Sequence, residues 1–227
     1  MLEILLLSSI GAILSLDTTA AFQVMVSQPV VACALIGWFG GDIVLGLHIG
    51  FLLQLLWLSN LPVGAALVPE GNVGSMIAAI VALRLDSQFP SAESIIILAA
   101  LLSALVASYF GRKMVKVMRD LNVRLFDRML NRLKNGNIAA ISQTKLLVIG
   151  QQIVIAVFFV FLLSSVMANF FKFLLLNMPP HWDQFAQYVE VAVLGSGIGL
   201  TLTLYHAKKN VIWLVPGFIL GLLIWIL

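Results

Sequence analysis

Residues 16–72 read LDTTAAFQVMVSQPVVACALIGWFGGDIVLGLHIGFLLQLLWLSNLPVGAALVPEGN. The stretch is mostly apolar, yet it is broken by Asp17, Gln23, Gln28, Asp42, His48, Gln54, Asn60, Glu70 and Asn72, and by Pro29, Pro62 and Pro69. A simple spanning helix avoids such residues, because a polar group left uncovered in hydrocarbon is costly and needs either a partner or a wet cavity. Broken or re-entrant helices around a substrate path meet that need. Short hairpins are therefore expected at Ser27-Gln28-Pro29 and Asn60-Leu61-Pro62, while Asp42, after Gly40-Gly41, reads as a turn residue.

The rest of the chain sets this stretch in a membrane. Of 227 residues, 61% are hydrophobic and 10% charged, with a mean hydropathy of +1.07; soluble domains carry about 25% charged residues. A water-soluble globule is excluded. An all-α, polytopic membrane protein follows, with spanning helices and broken or re-entrant hairpins in its N-terminal third. The run Leu2 to Leu16 lacks the basic start of a secretory signal and reads as part of the mature protein. Cys33, the only cysteine, excludes an internal disulfide or a thiolate metal cluster and reads as a small core residue.

Nine of the thirteen Lys and Arg residues lie between Arg112 and Lys145, offset only by Asp120 and Asp127. Short loops rich in positive charge stay in the cytoplasm, so this segment orients the chain. Nucleic acid would account for the charge but not for the flanking spans. Met114, Met118, Leu121, Leu125, Met129 and Leu133 recur at helical spacing, predicting an amphipathic helix closed by Asn135-Gly136-Asn137. Such a helix suits the membrane surface, a partner, or a solvated connector.

Three regions of one membrane domain result: the polar part, 1–111; the basic connector, 112–145; and C-terminal spans, 146–227. A span over Ile95 to Phe110 enters the cytoplasm, which places Arg84 to Glu93 outside. Leu146 to Leu176 leaves the cytoplasm, turns at Asn177-Met178-Pro179-Pro180, and returns over Phe185 to Tyr205 towards Lys208 and Lys209. Val211 to Leu227 is just long enough to cross again, with a kink or break at Pro216-Gly217.

No phosphate loop, metal-ligand motif or nucleophile elbow stands in a usable context. Gly195-Ser196-Gly197-Ile198-Gly199 lies within a span and reads as close helix packing. His48, His181 and His206 are far apart, and none has a carboxylate at ligand spacing; for His48 a packing or hydrogen-bonding role is favoured. What remains is recognition of a polyhydroxylated ligand, since carboxylates accept from hydroxyls and amides both donate and accept. Trp38 and Trp57 could stack on a sugar face, although packing is the commoner use of such aromatics.

The order of motifs resembles the membrane subunit, enzyme IIC, of the mannose/fructose/sorbose type of bacterial phosphotransferase system. The resemblance rests on Leu16-Asp17, Gln23, Ser27-Gln28-Pro29-Val30-Val31-Ala32, Gly41-Asp42 and Leu45-Gly46-Leu47-His48-Ile49-Gly50. It continues through Gln54-Leu55-Leu56-Trp57-Leu58, Leu61-Pro62-Val63-Gly64-Ala65-Ala66 and Gly136-Asn137-Ile138-Ala139-Ala140-Ile141. It implies a multi-pass protein of the bacterial cytoplasmic (inner) membrane that binds and moves a hexose or related sugar. It also implies a IID membrane partner, a hetero-oligomer with several IIC copies, usually a trimer, and soluble IIA and IIB subunits that carry the phosphate. No cofactor is implied, and the subunit is not itself phosphorylated.

Within that reading Asp17, Gln23, Gln28, Gln54, Asn60, Glu70 and Asn72 line or support the substrate site. Members of the family usually carry a glutamate at the place of Gln54, an aspartate at that of Glu70 and a histidine near that of Lys145. An amide at Gln54 can bond a hydroxyl but cannot act as an anion. Two alternatives to sugar transport by phosphotransfer are a IIC-like scaffold or regulatory subunit that does not transport, and a small-solute transporter without phosphotransfer.

Overall fold

The computed structural model describes residues 2–18, 23–58, 69–179 and 182–204. Seven α-helices and one 3-10 turn account for most of them, with no strand among the described residues. Helix α1 (Leu2–Ser15) runs into the 3-10 turn Leu16–Thr18. Two short apolar helices follow, α2 (Pro29–Gly40) and α3 (Ile43–Trp57), then α4 (Gly71–Asp86). The long helices are α5 (Glu93–Lys134), α6 (Ala140–Leu176) and α7 (Trp182–Leu204). These three are long and apolar enough to cross a membrane. The all-helical, polytopic membrane architecture is thus as expected. Asn60, the hairpin expected at Asn60-Leu61-Pro62, His181, His206 and the final span from Val211 lie outside the described residues.

The reversal between two short helices falls at Gly41-Asp42. Pro29 opens α2 at a position where its missing N–H costs nothing, and Ser27-Gln28-Pro29 marks the exit from a tight turn into that helix. Gly41 closes α2 with φ 93°, the Gly41 and Asp42 amides donating to Trp38 and Gly37 carbonyls. Asp42 then caps α3, its carboxylate accepting from the Leu45 amide at 2.9 Å. At about 18 and 22 Å long by helical rise, α2 and α3 are each shorter than a hydrocarbon core of about 30 Å. They fold as a re-entrant-type hairpin.

Small residues bring the two arms of this hairpin into backbone contact. A Cβ on Gly50 would lie 2.6 Å from the Pro29 carbonyl oxygen, and one on Gly46 would overlap the Cys33 carbonyl. Gly46 and Gly50, four apart, present one bare face, the arrangement that lets membrane helices approach closely. Cys33 is fully buried there, its thiol donating to the Ser75 carbonyl at 3.3 Å.

Helix α4 is the hub. Twelve of its 16 residues are buried, and it packs against α1, α2, α3, α5 and α6. On the α5 side Gly74 sits against the Ala104 carbonyl, within a wall of Ala99, Ala100, Ser103, Ala104 and Ala107.

The expected span at 95–110 and the basic helix after Arg112 are one continuous helix of 42 residues, about 63 Å long by helical rise. The boundary at 111/112 therefore falls inside α5, and that at 145/146 inside α6. Gly111 does not end the helix because it is needed as a bare surface: a Cβ there would meet the Glu70 side chain at 2.8 Å. The stripe from Met114 to Leu133 is buried or half-buried, as its spacing predicts. α5 closes at Gly136, φ 81°, with the Gly136 and Asn137 amides donating to Leu133 and Arg132 carbonyls, the same closing pattern as at Gly41.

Candidate substrate site

Asp17 organises the site. Its buried carboxylate accepts from the Val24 amide at 2.7 Å, the Ser27 amide at 3.2 Å and the Ser27 hydroxyl at 3.1 Å. These charge-assisted bonds hold a turn in which two residues other than glycine, Gln23 (φ 52°) and Met25 (φ 67°), take left-handed backbone. Each such residue costs on the order of 1–3 kcal/mol, so the turn exists only because its surroundings fix it. Its tip, Gln23 to Met25, is exposed.

The network continues onto α4 and α3. Asn72, in the first turn of α4, reaches the Ser27 hydroxyl with its amide N–H at 3.5 Å. Next to Ser27, the Gln28 side-chain oxygen accepts from the Gln54 amide at 3.3 Å. The other Gln54 atom, Oε1, is buried with no partner. It can accept from a hydroxyl.

Glu70 stands one residue before α4 and outside the three spanning helices. It is half-buried; its amide donates to the Ser108 carbonyl at 3.1 Å and its side chain covers Gly111. Burial raises its carboxyl above the ordinary range, while the Arg119 charge opposes that rise. Of the residues singled out by sequence, Asp17, Gln28, Gln54 and Asn72 thus converge on Ser27 and Gln28. Gln23 is displayed on the same turn, and Glu70 flanks it.

The tryptophans have other duties. Trp57 donates to the Ser75 hydroxyl at 3.2 Å and lies over Gly71, fastening α3 to the start of α4. Trp38 is exposed near the hairpin apex against Phe39.

Two features lie beyond the reach of local sequence patterns. His48 on α3 meets Glu190 on α7, Nε2 to Oε1 at 2.7 Å, across 142 positions. This is the hydrogen-bonding role expected of His48, with a partner that spacing could not name. Seven residues on, Gly197 packs directly on Leu55, whereas Gly195 and Gly199 face no neighbour within 4 Å. Gln152 on α6 is buried and lines one small cleft together with Glu70.

Comparison with known proteins decides the family. Residues 1–225 match the family EII-Sor, described as the PTS system sorbose-specific IIC component. The chain belongs to this family. A fructose permease IIC component of Bacillus subtilis (strain 168) is 30% identical over 140 residues, 62% of this chain and 49% of that protein. The match thus spans about half the length of that relative. A solved structure described only as a membrane protein superposes with a TM-score of 0.70 at 20% identity, over 97% of this chain and 86% of that one. The mannose transporter ManYZ in its complex with microcin E492 gives 0.57 at 18% identity, over 97% and 84%. At these identities the two structures establish the shared fold alone, and family and fold together make this a multi-pass membrane protein.

Proposed function

We propose that this chain is the membrane (IIC) subunit of a mannose-type, phosphoenolpyruvate-dependent sugar phosphotransferase system, and that it binds and translocates a hexose or related sugar. Membership of the sorbose-type IIC family supports this. The observation that carries it to particular atoms is the polar network of Asp17, Ser27, Asn72, Gln28 and Gln54, set in a mostly apolar bundle. Carboxylate and amide groups held on one turn suit a ligand rich in hydroxyls, and a strained, fixed turn keeps them aligned before the ligand arrives.

In this reading Asp17 holds the turn, while Gln23, Gln28, Gln54 and Asn72 offer both donors and acceptors to hydroxyls. Asn60 belongs to the same set by sequence, and Glu70 flanks it. The chain moves the sugar and carries no phosphate. IIA and IIB subunits transfer the phosphate, a IID subunit completes the membrane complex, and several IIC copies assemble, as a trimer, in the bacterial inner membrane. The arm formed by the ends of α5 and α6, with nine Lys and Arg from Arg112 to Lys145, faces the soluble subunits.

The Gln28–Gln54 pair also fits a second reading, a IIC-fold scaffold without transport, because here the family's usual glutamate is an uncharged amide, one of whose two N–H groups bonds Gln28. Binding of radiolabelled hexoses to the complex of this chain with its IID partner, and their uptake by vesicles holding that complex and supplied with the IIA and IIB subunits and phosphoenolpyruvate, separate the two. Transport predicts uptake of at least one sugar, and a fall of roughly tenfold in its apparent affinity for Gln54→Ala, about one hydrogen bond. Complex assembly should be unchanged. Absence of binding to any hexose by an assembled complex would leave the scaffold.

A further inference from the structure

A small cleft beside the 3-10 turn that holds Asp17 has, in its polar lining, a buried acceptor without a partner. It lies between the 3-10 turn, the start of α4, α5 and α6; Ser15, Thr18, Glu70 and Gln152 line it, with Met114 and Met118 as an apolar wall. Its volume is about 20 Å³, room for one group the size of a water or a hydroxyl. Gln152 is only 6% exposed, and its Oε1 is buried with no hydrogen-bond partner. The two hydroxyls cannot supply one, since Ser15 already donates to the Ala12 carbonyl at 2.7 Å and Thr18 to the Ser15 carbonyl at 2.7 Å.

Such a lining asks for a donor. A buried amide oxygen without one loses its hydration and gains nothing in return. The cleft shares its elements with the proposed sugar site: Leu16 and Thr18, which line it, are the chain neighbours of Asp17, and Glu70, which lines it, stands two residues before Asn72. We propose that this cleft is a subsite for one hydroxyl of the translocated substrate, donated to Gln152 Oε1, with the sugar ring remaining outside. The inference rests on the sugar-translocation reading and adds to it a residue from α6, more than a hundred positions from Asp17 in sequence.

A trapped water would supply the same donor, and the two occupants are told apart by discrimination among substrates. Vesicles containing the full chain with its IID partner, supplied with the IIA and IIB subunits and phosphoenolpyruvate, are assayed for uptake of mannose, fructose and sorbose, and then of the monodeoxy derivatives of whichever is carried best. Gln152→Leu should raise the apparent KM for the parent sugar roughly tenfold, the loss of about one hydrogen bond. It should leave one monodeoxy sugar, the one lacking the hydroxyl that enters the cleft, almost unaffected. Gln152→Met, closer in length, should behave alike and guards against a folding defect, which thermal unfolding of the complex would reveal. If the wild type carries these sugars and both variants carry every derivative in the wild-type order with unchanged KM, the occupant is a water and the subsite is refuted. If the wild type carries none of them, the sugar reading itself falls, and the inference with it.

Discussion

Helices α4 and α6 are both apolar, and they solve opposite problems. α4 has 16 residues, and twelve of them are buried among five other helices. α6 has 37 residues, yet only 17% of its most apolar window is buried within the chain, against 61% for α5. A helix enclosed by protein need not match the thickness of a bilayer, because its ends meet other protein groups: the Glu70 amide, just before α4, donates to the Ser108 carbonyl of α5. A helix on the outside must satisfy its own backbone over the whole apolar depth. The polar residues follow the same division. Those of the candidate site collect where short helices end inside the bundle, at the turn before α2, the end of α3 and the start of α4, since helix ends bring unpaired backbone groups and freedom to place side chains.

The contrast is easiest to break at the α2–α3 contact, where the largest effect is expected. Gly46→Ala places a methyl group on the Cys33 carbonyl and against Gly37. Backbone cannot retreat as a side-chain tip can, so the hairpin must open, at about 3 kcal/mol, the upper end of the usual overpacking range. Thermal unfolding of the purified protein should show a large drop in Tm. A variant as stable as the wild type would mean that the two arms are not packed backbone to backbone.

A smaller and more local effect is expected at Asp17. Asp17→Asn keeps the shape but removes the charge and turns one acceptor into a donor facing the Val24 or Ser27 amide. Bonds to a charged group contribute about 1.5–3 kcal/mol, and the strained backbone at Gln23 and Met25 would no longer be held. Hydrogen exchange at residues 23–28 should quicken, and sugar uptake should fall, while exchange within α4 stays slow. Equal loss of protection in α4 would show that Asp17 supports the bundle as a whole and not the turn.

The sequence was legible where its signals are local. The spans in α5, α6 and α7 follow from apolar length, the stripe from Met114 to Leu133 from its spacing, and the closure at Gly136 and the turn at Asp42 from residue type. Four of the chosen site residues, Asp17, Gln28, Gln54 and Asn72, do converge. What sequence could not supply was pairing at a distance. His48 meets Glu190 across 142 positions, and Gln152, in a long apolar helix, gains meaning only beside Glu70. The continuity of α5 through Gly111 was hidden for a related reason: the change from apolar to amphipathic pattern looks like a boundary, although no residue there breaks a helix. Why the turn apex must be at Gly41-Asp42 is likewise visible only when Cys33, Gly46 and Gly50 face one another.

The smallest expected effect tests the outer side of the comparison. Gly150 lies in α6, and a Cβ added there meets nothing within 4 Å. Glycine within a helix costs roughly 0.5–1 kcal/mol relative to alanine because the unfolded chain loses more freedom. Gly150→Ala should therefore raise the Tm of the isolated chain slightly, the reverse of Gly46→Ala with the same added methyl. The sign is the useful quantity, since it depends on what stands opposite the residue and not on helix propensity, which is common to both. If Gly150→Ala stabilises the isolated chain but weakens its assembly with a second membrane subunit, the bare surface of α6 at that point is a contact with protein. If it stabilises both alike, Gly150 faces lipid.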